Sequence, residues 1–174
     1  MTCKPEIHAT PLNRRSLLAL TAALVALPMT GSHLAIASET LLTVTTADGK
    51  TVGFTLQELD KLPQHEFETE TPWIEGKAKF SGPLLRNILA AAGAEGAEVK
   101  AVALNDYAVS IPFSDATDHG VIVASRLDGS PMSVREKGPL WVMYPFSDKP
   151  ALKQETHYSR CIWQLNRLEL VNPA

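Results

Sequence analysis

Residues 68–93 read ETETPWIEGKAKFSGPLLRNILAAAG, and the second half of that stretch decides how the chain is built. Gly82-Pro83 opens a helix, because proline's fixed φ suits a first turn whose N–H would be unpaired anyway. Leu84, Leu85, Ile88, Leu89 and Ala92 recur at helical spacing and make one apolar face, and Gly93 supplies the left-handed stop. The first half, through Trp73, reads as extended. A short amphipathic helix is therefore set into a chain of strands.

Outward from this helix the pattern is mostly β. Upstream, LLTVTTADGKTVGFTL (41–56) is two alternating runs around Ala47-Asp48-Gly49-Lys50, a hairpin signal. Thr55 and Glu58 then form a capping box for a second short helix, Leu56 to Leu62, which Pro63 stops. Downstream, VKAVALNDYAVSIPF (99–113) is a strand pair turning near Asn105-Asp106, and GVIVASRLDGSPM (120–132) ends in a turn at Asp128-Gly129. PLWVMYPF (139–146) is a short strand bounded by prolines, and a last long strand is expected from about Tyr158 to Val171. The expectation is one α+β domain, a predominantly antiparallel sheet or squat barrel with a few short helices.

The 174 residues, 45% hydrophobic and 20% charged, suit a globular domain with a real core. A net charge of −3, with no basic stripe interleaved with aromatics, speaks against a nucleic-acid surface. Residues 1–37 are read as a cleaved export signal: Arg14-Arg15, an apolar run from Leu17 to Leu27, Pro28, then small residues at Ala35 and Ala37. LNRRSLL resembles a twin-arginine signal, although Asn13 stands where Ser or Thr is usual; a general secretory signal is the other reading. The mature domain, 38–174, is then expected in the periplasm.

Cys161 is the lone cysteine left after cleavage, so no intramolecular disulfide is expected. Placed on the last strand with Trp163 and Leu165 on its face, it reads as a small buried hydrophobe, and Trp163 as core. His65, His119 and His157 lack partners at metal-site spacing, so a protein-held metal is not expected. There is no Gly-x-Ser-x-Gly to suggest hydrolysis.

Four blocks carry a resemblance. FSGPLLRNILAAAG (80–93), NDYAVSIPFSD (105–115), LDGSPMSVREKGPLWVMYPFSD (127–148) and SRCIWQLNRLELV (159–171) resemble, in order and spacing, the molybdopterin-binding domain of the sulfite-oxidase fold. Catalytic members of that superfamily place a molybdenum-ligating cysteine shortly before the Gly-x-x-Leu helix. Here that region, Glu68 to Trp73, has threonines and carboxylates but no thiol. A hard hydroxyl such as that of Thr71 is no substitute for a soft thiolate. The resemblance thus extends to small exported members that bind free pterins, with molybdenum not expected. It implies a non-enzymatic ligand sensor whose partner is the periplasmic domain of a membrane-bound cyclic-di-GMP enzyme, a diguanylate cyclase or phosphodiesterase. The alternative is a periplasmic molybdopterin-dependent oxidoreductase or a subunit of one.

A pterin needs an aromatic face to stack on, a carboxylate for its N2 and N3 donors, and an amide or Arg for O4 and N5. Asn105, Asp106 and Tyr107 converge at one turn and are the first candidates, with Trp73 as a stacking surface. Trp141 and Tyr144 fall on opposite faces of one strand, so one of them is expected to meet the ligand, and Tyr144 is favoured for its hydroxyl. Arg160 reaches either the ligand or a carboxylate. Arg135 lies in a loop that the resemblance puts near the cofactor.

Overall fold

The computed structural model describes Met1 and residues 39–172; the export-signal reading falls outside the described residues. Within the unit Ile36–Ala174 the strands divide into three sheets. The first has five strands and joins the two ends of the unit. β1 (Thr40–Thr45) and β2 (Thr51–Thr55) form the expected hairpin, with Leu42 and Val44 pointing into the core at the two-residue period of a strand. The last strand, Leu165–Val171, pairs parallel to β1, placing Thr43 opposite Arg167. On its other side it pairs antiparallel to β5 (Glu98–Ala103), and β5 pairs with β6 (Ala108–Pro112).

The capping box forms as its residue types require. Thr55 Oγ1 accepts from the Glu58 N–H at 3.2 Å and the Glu58 carboxylate accepts from the Thr55 N–H at 2.8 Å, so α1 runs Leu56–Lys61. The segment expected to be merely extended before Trp73 is a full strand, β3 (Gln64–Thr71). It turns at Pro72-Trp73 into β4 (Ile74–Pro83), and short β8 (Arg126–Leu127) and β9 (Ser130–Pro131) complete this four-stranded sheet. Gly82-Pro83 therefore ends a strand, and the amphipathic helix α2 is Leu85–Ala92 with Gly93 at φ 65 as its left-handed cap. Leu85, Ile88, Leu89 and Ala92 are its buried face, as the spacing predicts.

The third sheet pairs β7 (Ile122–Ala124) with β10 (Trp141–Met143), and every residue of both strands is buried. Gly82 lies where β4 crosses this pair. A Cβ there would stand 2.1 Å from the Val123 carbonyl oxygen, so only glycine permits the approach. Phe80, Trp141, Tyr144 and Phe146 fill the space between the sheets.

Two helices were not expected: α3 (Phe113–Asp118) and α4 (Glu155–Tyr158). α4 corrects the last strand, which begins at Leu165 and not at Tyr158. Residues 159–164 are irregular and Gln164 takes φ 53, so Cys161, Trp163 and Leu165 do not share one strand face. No helix among the described residues is long and apolar enough to cross a membrane.

Candidate functional site

The β3–β4 turn, the β5–β6 turn and the segment from α4 to Trp163 converge on a cavity of about 550 Å³, within the usual size of a small-ligand site. Pro72 and Trp73 come from the first turn. Ala103, Asn105 and Tyr107 come from the second, and Glu155, Tyr158, Ser159, Cys161, Ile162 and Trp163 from the third. Trp73 is central to the aromatic wall. Its ring lies 6.0 Å from Tyr158 and 6.0 Å from Trp163, both edge-to-face, and 5.8 Å from Trp141 behind it, contacts that hold rings at fixed angles.

Polar groups are few and differ in kind. The Asn105 carbonyl oxygen accepts from the Tyr107 N–H at 3.2 Å, which leaves the side-chain NH₂ as a donor. Glu155 contributes the pocket's one carboxylate, an acceptor only when ionised. Among the described residues no Lys, Arg or His lines the cavity.

The third wall is held from behind. Asp115 of α3, 4% exposed, accepts from Arg160 Nη1 and from the Tyr144 hydroxyl, both at 2.7 Å. Burial first, and this bond second, push the Tyr144 phenol far above its usual range, so it stays protonated. Trp141 Nε1 donates to the Cys161 carbonyl oxygen at 3.1 Å and anchors the same segment. His157, on α4 between Tyr144 and His119, has a buried Nδ1 without a protein partner. Burial holds its pKa below the usual 6.5, against the upward pull of Asp115.

Of the residues expected from sequence, the structure brings Trp73, Asn105 and Tyr107 together at the cavity. The others lie elsewhere. Asp106, at φ 64 and with an 81% exposed side chain, turns outward and pairs with Arg167 at 2.9 Å. Trp141, on the fully buried β10, and Tyr144, which follows it and donates to Asp115, are both fully buried. Arg160 takes the second of its two expected roles and binds a carboxylate. Arg135 sits in an exposed turn, Val134–Glu136, that does not line the cavity. Glu155, Tyr158, Ser159 and Trp163 were missed, and Trp163, expected in the core, is 40% exposed. A signal was present: KQETHYSR (153–160) is polar throughout and lacks the alternation of a strand.

A profile of the oxidoreductase molybdopterin binding domain matches residues 25–147, more than half of the chain. The chain belongs to that family. Among solved structures, the sulfane dehydrogenase SoxCD from Paracoccus pantotrophus shares the fold at TM-score 0.61 and 20% identity over 79% of this chain. This molybdopterin-domain protein spans 39% of that chain. A comparison with curated proteins returns no match. Family membership corrects the expectation of a non-enzymatic module: the matching domain is an oxidoreductase domain.

The residues fit one part of the family's cofactor and not the rest. Stacking surfaces, an acceptor and a donor suit the pterin ring. A thiolate-held metal does not fit. Cys161 is 2% exposed, its thiol lies 3.5 Å from the His157 carbonyl oxygen, and burial pushes its pKa far up, so it stays a thiol. Among the described residues no three His, Cys, Asp or Glu side chains are grouped to hold a metal. The cofactor's phosphate finds no cation in the cavity lining among the described residues.

Proposed function

We propose that this chain is the pterin-binding domain of an exported oxidoreductase, or a subunit of one, and that the Trp73–Trp163 cavity holds the pterin ring. One observation carries the reading. Four aromatic side chains surround a cavity whose polar groups are an acceptor-only carboxylate and a donor amide. In this reading the chain's own residues bind and orient the ring: Trp73, Tyr158 and Trp163 set its plane, and Glu155 and Asn105 set its rotation within that plane. Cys161 supplies no metal ligand, and molybdenum is not part of the proposed site.

The test is an anaerobic titration of the purified chain with oxidised and tetrahydro pterins, followed by tryptophan fluorescence. Reduction of an artificial acceptor by the loaded protein is measured alongside. Stoichiometric binding is expected, weakened about tenfold or more in Trp163→Ala, since stacking on an aromatic face contributes on the order of 1–3 kcal/mol. Asp106→Asn, away from the cavity, leaves the affinity unchanged. Absence of binding overturns the ligand assignment; binding without electron transfer to any acceptor overturns the oxidoreductase assignment. Fractionation of the host and sequencing of the mature N-terminus test the proposed export.

A further inference from the structure

The proposed pterin site has an asymmetry that discriminates between closely related heterocycles. Ion pairs among the described residues engage Asp60, Glu66, Glu70, Asp106, Asp115 and Glu169. They leave the Glu155 carboxylate free at the cavity wall. Its two oxygens can only accept, side by side, while Asn105, also in the lining, has its Oδ1 turned to the Tyr107 N–H and its side-chain NH₂ left to donate. Among the described residues the cavity lining holds no cation that would pair with Glu155 in place of a ligand.

We propose that Glu155 makes this pocket selective for a 2-amino-4-oxo pyrimidine edge over a 2,4-dioxo edge. This deepens the pterin reading and rests on it. In the amino-oxo ring the 2-amino group and N3–H are adjacent, parallel donors that meet both carboxylate oxygens, and the acceptors O4 and N5 are left for Asn105. In the dioxo ring the lone N3–H is flanked by two carbonyl oxygens. One carboxylate oxygen then faces an acceptor, and a hydrogen bond is replaced by repulsion. The ring stacks equally well in both cases, so stacking contributes affinity and Glu155 contributes the choice.

A single-residue exchange reads the choice directly. Glutamine has the shape of glutamate but presents one acceptor and one donor, the complement of N3–H beside a carbonyl. Pterin and lumazine differ at this edge and share the remainder of the ring system. Their dissociation constants would be measured by fluorescence quenching on the full chain, as wild type, Glu155→Gln and Glu155→Ala. Glu155 is an exposed residue, and matched thermal unfolding curves confirm that each variant is folded.

The wild type is expected to favour pterin over lumazine by a factor on the order of ten to a hundred, the range for hydrogen bonds to a charged group. Glu155→Gln reverses that preference, and Glu155→Ala weakens pterin binding and removes the preference. Equal binding of the two rings by the wild type overturns the proposal. So does a wild-type preference that survives unchanged in Glu155→Gln, and in that case the pterin site itself stands. Failure of the wild type to bind either ring overturns the site and the selectivity together.

Discussion

Asp115 braces the cavity wall without lining it. Its carboxylate receives both the Arg160 guanidinium and the Tyr144 hydroxyl, at 2.7 Å each, in a place almost closed to solvent. Removing one member of such a pair strands the other as an uncompensated buried charge, which costs about 3–5 kcal/mol. Asp115→Ala is accordingly expected to lower the unfolding free energy by about that much in a urea titration, with ligand affinity falling as the α4 wall loosens. Asp106 is the contrasting case. Its place between Asn105 and Tyr107 makes it the first candidate carboxylate in the sequence. Contiguity does not fix direction at a turn, and φ 64 sends the Asp106 side chain out to Arg167 while its two neighbours face the cavity.

At the level of elements, α4 is the piece that sequence reading lost, and its loss explains the missed site residues. The strong local signals were legible: the Thr55 capping box, the apolar face of α2 and the Asp48-Gly49 turn each have a mechanism confined to a few residues. α4 is marked only by the unbroken polarity of 153–160, which argues against a strand without specifying a helix. It is four residues long, no side chain caps it, and it exists because Arg160 and the Cys161 carbonyl are held from the core side. Tertiary contacts of that kind are invisible in a window of sequence. The same element should confer a pH dependence. His157 has a folded-state pKa below its unfolded value near 6.5, so its contribution to stability is complete above that pH. It is lost as the pH falls below 6.5 toward the folded-state value, because the unfolded chain then binds the extra proton. The urea midpoint should drop between pH 7 and pH 5, and His157→Asn should flatten that drop.

Across the whole molecule, three sheets meet at very short range, and the closeness is written in one glycine. Gly82 keeps the β4 backbone against β7 with no room for a methyl group beside the Val123 carbonyl. Gly82→Ala is expected to destabilise the protein by about 3 kcal/mol, the upper end for overpacking, because backbone on both sides must move. Chemical denaturation with an unchanged m value would register it. The α+β class and the mostly antiparallel pairing were readable from alternation and turns. The division into three sheets was not, since nothing local tells β7 to leave its sequence neighbour β8 and pair with β10.

The parallel contact between β1 and the strand Leu165–Val171 also orders events in time. That strand is inserted between β1 and β5 and is the last strand of the unit to be synthesised. Until the ribosome has delivered it, the two strands made earlier each carry an open edge and the five-stranded sheet has a gap at its centre. The nascent chain therefore cannot close its five-stranded sheet before that strand has been made.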